Sequence, residues 1–88
     1  LRNYLNFKPN NANIWYNYSL TSLRLNDTQA ALRGINQALQ LRPNEGNYYK
    51  LRAKVYIQQN QFSQARNDAT QAAQLGAPLE ANWQQRLQ

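Results

Sequence analysis

Lys50 and Lys54 lie four residues apart in a stretch with helical periodicity, which sets both ammonium groups on one face, one turn apart. Two cations so placed can hold one carboxylate between them. The acids form no comparable set. Asp27, Glu45, Asp68 and Glu80 are spread over separate segments, so no two are placed to work as general acid and base. The chain has no Cys and no His, which removes the thiolate nucleophile, the imidazole base and the usual zinc ligand sets, and it carries no Gly-rich phosphate loop. The chemistry on offer is recognition, and neither an enzyme, a metal nor a cofactor is expected.

Charge points the same way. Ten Lys and Arg against four Asp and Glu give +6 over 88 residues and a pI near 10.1, which suits an acidic or polyanionic partner. The length fits one small domain. Thirteen Asn and twelve Gln make up 25 of the 88 residues, a share that would suit a polar low-complexity tract, but the aromatic and aliphatic residues recur too regularly for disorder. No run approaches the roughly 18 consecutive apolar residues of a membrane helix, and the mean hydropathy is −0.86, so a soluble chain is expected. The absence of Cys fits an oxidising compartment and the cytosol equally. The start at Leu1, without a charged segment followed by an apolar run, reads as an excerpt of a longer protein with no signal peptide in view.

The elements that position these residues follow from a repeat. At an offset of 34, Pro9 falls on Pro43, Phe7 on Leu41 and Leu75, Leu5 on Leu39 and Ala73, Trp15 on Tyr49 and Trp83, Asn13 on Asn47, Asn26 on Asn60, and Ala31 on Ala65. Large, small and turn residues each recur in their own class, as stacked supersecondary units require. Each unit reads as two helices. In the first, Trp15, Tyr18, Ser22 and Leu25 make a core stripe beside a more polar flank of Ile14, Asn17 and Thr21. Asn26-Asp27 interrupts it, and Asp27 can cap the next helix, whose Ala31, Leu32, Ile35, Ala38 and Leu39 share a face. Pro43 stops that helix. The second unit places Tyr49, Ala53 and Tyr56 on its first helix and Phe62, Ala65, Ala69, Ala72 and Ala73 on its second, ending at Gly76-Ala77-Pro78. Helices are expected over about 1–8, 12–25, 28–41, 46–59, 62–75 and 79–88, with no strand. Because the second unit's closing helix is alanine-rich, Trp83 is expected to fill the hollow behind it.

These residues resemble the tetratricopeptide repeat, whose period is 34 and whose signature runs W-x2-L-G-x2-Y, A-x3-F, then P. The first unit answers with Trp15, Tyr18, Ser19, Ser22, Ala31, Ile35, Ala38 and Pro43, the second with Tyr49, Arg52, Ala53, Tyr56, Ala65, Ala69 and Ala72. Arg52 stands where the family prefers Leu, Ala69 replaces a large residue, and Pro78 comes one residue late. The resemblance implies an all-α, right-handed superhelix of antiparallel helical hairpins. Residues 1–11 would close a preceding unit, 12–45 and 46–79 form two units, and 80–88 form a capping helix or open a further unit.

It also implies a binding scaffold, in which the first helix of each unit lines a concave groove that holds a peptide or a partner's helix. Carried onto this chain, the lining positions are Asn13, Tyr16, Asn17, Leu20 and Arg24, then Asn47, Lys50, Lys54, Ile57 and Gln58. Three are basic and none is acidic, so the expected partner is a protein or peptide with acidic side chains or a free C-terminal carboxylate. The amides of Asn13, Asn17 and Asn47 suit an extended peptide backbone. The family's two-carboxylate clamp is matched only in fragments: Lys50 takes the place of one clamp Lys, Lys54 stands where Asn is expected, and the following helix offers Gln85. That specificity is not predicted. One alternative is a nucleic-acid-binding helical repeat, but base-reading repeats usually need more units, and Arg33, Arg42 and Arg66 lie on other faces. The chain's ending also resembles repeat arrays appended to bacterial envelope proteases and assembly factors, which implies a non-catalytic appendage in the periplasm or cell envelope.

Overall fold

The computed structural model describes residues 10–88. Five helices follow in order: α1 Ala12–Arg24, α2 Thr28–Leu41, α3 Gly46–Gln58, α4 Phe62–Gln74 and α5 Ala81–Gln85. No strand occurs among the described residues. The helix expected over 1–8 lies outside them. The four central helices match expectation to within a residue, whereas the last is shorter. Glu80 is extended, with φ −64° and ψ 156°, and α5 gives way to a turn at Arg86.

The termini show why the chain turns where it does. Asn11 accepts the Asn13 N–H at 2.9 Å and Asp27 accepts the Ala30 N–H at 3.2 Å, so the first two helices each gain a side-chain cap. Asn26 and Asn60, 34 residues apart, end α1 and α3 in the left-handed region with φ 63° and 61°, a conformation Asn tolerates better than most residues. Each leads a pair of reversed bonds. Asn26 N–H donates to Leu23 O at 2.9 Å and Asp27 N–H to Ser22 O at 2.8 Å, while Asn60 N–H donates to Ile57 O at 3.0 Å and Gln61 N–H to Tyr56 O at 2.9 Å. This is the Schellman arrangement, which satisfies carbonyls that a helix end otherwise leaves free. Gly76, φ 88°, closes α4 in the same way.

Short turns fold α1 onto α2 and α3 onto α4 as helical hairpins, and α2 packs on α3 to join them. The first hairpin is antiparallel and close. Ser19 Oγ donates to Ala31 O at 2.6 Å, and a Cβ built on Gly34 would stand 3.2 Å from the Trp15 carbonyl oxygen and 2.8 Å from the Tyr18 ring. Two apolar clusters result. Ala12, Ile35, Ala38, Leu39, Tyr48 and Leu51 form one between α1, α2 and α3; Ala53, Ile57, Ala65 and Leu79 form the other between α3, α4 and the segment leading to α5. Helix α3 serves both, so it buries residues on opposite sides: Tyr48, Leu51, Ala53, Val55 and Ile57.

Several expected core positions lie elsewhere. Tyr18 is 45% and Leu25 76% exposed, because Tyr18 lies over Gly34 with its outer face in solvent and Leu25 falls beyond the last turn of α1. Ala73 is exposed, while Ala65 and Ala72 are buried. Trp83 does pack against the second cluster, but only partly buried; Leu79, 4% exposed, is the side chain that closes it.

Candidate functional site

The central helix α3 carries Lys50, Lys54 and Gln58 at successive turns, a row that the sequence assigns to the groove. Residues 80–86 run along this row. Lys50 Nζ meets Glu80 Oε2 at 2.9 Å and Lys54 Nζ meets Glu80 Oε1 at 3.2 Å. Trp83 then lies under two cations, Lys54 at 5.5 Å and Arg86 at 4.8 Å from the ring centroid, and Arg86 Nη2 donates to Gln58 Oε1 at 2.6 Å. The bond from Lys50, the Glu80 backbone N–H and Lys54 together bring the Glu80 carboxyl down to about 2. The spacing of the two lysines thus has the consequence anticipated for it, a carboxylate held by both. The expectation of an acid-free groove does not hold, because Glu80, at the start of α5, supplies that carboxylate.

The α1 side of the row is aromatic. Tyr16 stacks on Tyr48 with centroids 5.2 Å apart and planes inclined by 27°, and the Tyr48 hydroxyl donates to Asn13 Oδ1 at 3.3 Å. Burial raises the Tyr48 pKa, with Glu45 and Tyr16 adding to the rise and Arg42 opposing it, so the phenol is held as a donor. Leu20 is half-buried against the first cluster, while Asn17, Arg24 and Asn47 are exposed. Arg24 pairs with no carboxylate among the described residues. Ile57 must be removed from the lining. At 1% exposure it belongs to the second cluster with Ala53, Ala65 and Leu79, because α3 turns that face toward α4 and not toward α1.

Two features escaped the sequence reading. Tyr48, which joins Asn13 and Tyr16 to α3, stands 34 residues after Ile14, a position assigned to a polar flank; its partners are visible only once α3 lies beside α1. Arg52, read as a departure from an apolar position, is the second. Its guanidinium gives Asp68 two bonds, 2.8 and 2.9 Å, and a third to Asn36 Oδ1 at 3.0 Å, which ties α3 to α4 and to α2. Donation to the Asp68 carboxylate raises the pKa of Arg52 further. A signal for this pair was present: Asp68 falls where the first unit has Gly34, just as Arg52 falls where it has Tyr18.

No helix among the described residues is long and apolar enough to cross a membrane. Comparison with models of known protein families gives no match, and comparison with curated proteins gives none.

Proposed function

We propose that this chain is a recognition module of the tetratricopeptide kind, whose hairpins form part of a right-handed superhelix and hold a partner peptide along α1 and α3. Asn13, Tyr16, Asn17, Leu20 and Arg24 would contact it from α1, and Asn47, Lys50, Lys54 and Gln58 from α3. The observation that carries this reading is the convergence of the Lys50 and Lys54 ammonium groups on one carboxylate, at 2.9 and 3.2 Å. A surface that holds a glutamate of its own chain in this way has the chemistry to hold one from a partner. Tyr16, half-buried and stacked on the buried Tyr48, supplies an aromatic face on α1. The recurring hairpins, 34 residues apart and closed by the same asparagines, favour a scaffold over a catalyst.

The test is a peptide array that spans acidic, neutral and basic sequences, probed with the chain and two charge-reversal variants. Lys50→Glu with Lys54→Glu should abolish preference for acidic peptides, whereas Arg33→Glu with Arg66→Glu should leave it intact. Equal losses from both pairs would indicate diffuse attraction to polyanions, and no loss from the lysine pair would reject the assigned face.

A further inference from the structure

The lysine pair on α3 is already engaged by Glu80, and the three side chains are unequally covered. Lys50 and Lys54 keep 24% and 19% of their side-chain exposure, whereas Glu80 keeps 51%. Two ammonium groups partly withdrawn from water repel each other, and an anion between them offsets that repulsion. The carboxylate in place does so, yet it is half-exposed. The helix that follows it is lightly held. None of the residues of α5 is buried; beyond Glu80 the segment is tied to α3 by Trp83 beneath Lys54 and by Arg86 on Gln58, to α4 by Arg66 Nε on Leu87 O at 3.2 Å, and Trp83 and Leu87 rest partly buried against the second cluster. Leu79, just before Glu80, is buried in the second cluster, so it anchors the chain independently of what α5 does.

We propose that Glu80 is a resident pseudo-ligand: its carboxylate fills the two-lysine site that an acidic side chain of a partner peptide takes on binding, so the partner displaces Glu80 and frees α5 from α3. This rests on reading the α1–α3 face as the peptide-binding surface. Exchange of one carboxylate for another leaves the number of ion pairs unchanged, so the lysines alone give an incoming acid little net advantage. Stray anions are thereby refused, and a peptide must earn its place through further contacts, such as those with Tyr16 and Asn13.

The test titrates an acetylated, amidated oligoglutamate peptide into the unaltered chain, Glu80→Gln, Glu45→Gln and the double variant Lys50→Gln plus Lys54→Gln. Glu45 pairs with Arg42, so Glu45→Gln makes the same charge change away from the lysines. Glu80→Gln should bind about three- to fivefold tighter than Glu45→Gln, the range expected when an exposed internal competitor is removed. In the unaltered chain the Trp83 indole N–H resonance should shift during the titration, and the double lysine variant should lose both effects. Equal affinities for Glu80→Gln and Glu45→Gln, with the loss in the lysine variant retained, overturn self-occupancy and leave the peptide-binding reading standing. Undiminished binding by the lysine variant, or no binding by any of the chains, overturns both.

Discussion

Tyr18 and Arg52 occupy the same place in the two hairpins, and each is matched by what lies beneath it. In the first hairpin an aromatic ring covers a glycine, Gly34; in the second a guanidinium grips Asp68, which is 6% exposed. Removal of the arginine strands a buried carboxylate. Arg52→Ala should therefore cost about 3–5 kcal/mol by urea denaturation, toward the low end because the guanidinium is itself partly exposed. Replacing the pair with that of the first hairpin, Arg52→Tyr with Asp68→Gly, should cost less than the single change; if it costs more, the two solutions are not interchangeable. Gly34 poses the reverse question. Alanine gains about 1 kcal/mol of helix propensity over glycine, but its Cβ would lie 3.2 Å from the Trp15 carbonyl, which is backbone and cannot step aside. Gly34→Ala should be net destabilising by about 1 kcal/mol, since overpacking typically costs more than the propensity returns. A stabilised variant would show that the hairpin has slack at this contact.

At the scale of the element, α5 differs from the four helices before it. They bury apolar faces against each other, whereas α5 is held by long polar and aromatic side chains around Glu80 and Trp83. Leu79→Ala should thus cost about 3 kcal/mol and exceed Trp83→Ala, since only the former empties a buried position. The opposite order in denaturation would make Trp83 the true closure. Acid acts on the same latch. The folded-state pKa of Glu80 is lowered from 4.5 to about 2, so its contribution is complete above the higher value and is lost as pH falls through the lower. Glu80 is half-exposed, so the effect is modest. The melting temperature of the unaltered chain should fall more than that of Glu80→Gln as pH drops through this window, and parallel slopes would mean that the carboxylate is not held in solution.

At the largest scale the described residues are longer than they are thick, 45 × 25 × 17 Å, and both apolar clusters draw on α3. The folding of paired helices into hairpins was legible in the 34-residue spacing, because recurrent small and large residues fix which helices can approach and asparagines at a shared position fix where the chain reverses. The burial of Ile57 was not legible. A helix covered on two sides has no single apolar stripe, so periodicity alone does not tell its groove face from its core face. Nor could spacing along α3 tell that Glu80 returns to Lys50 and Lys54, since a helical pattern orders neighbours one turn apart and is silent about residues brought in by a later element. Packing is heaviest within each hairpin and lighter between them, and α5 is held mainly by side chains at its edge, so the last helix can open without the middle of the chain. Amide hydrogen exchange should then show α5 losing protection well before α2 and α3, and uniform protection through residue 85 would contradict it.

The two tryptophans stand in different settings. Trp15 on α1 stands perpendicular to the Tyr18 ring with centroids 6.1 Å apart, while Trp83 on α5 lies under two positive charges. A cation over an indole face changes the energy at which the ring emits, so light from the two helices differs in colour. The chain thus carries an optical gauge in its first described helix and another in its last, and a spectrum followed over time should tell which of the two comes apart first.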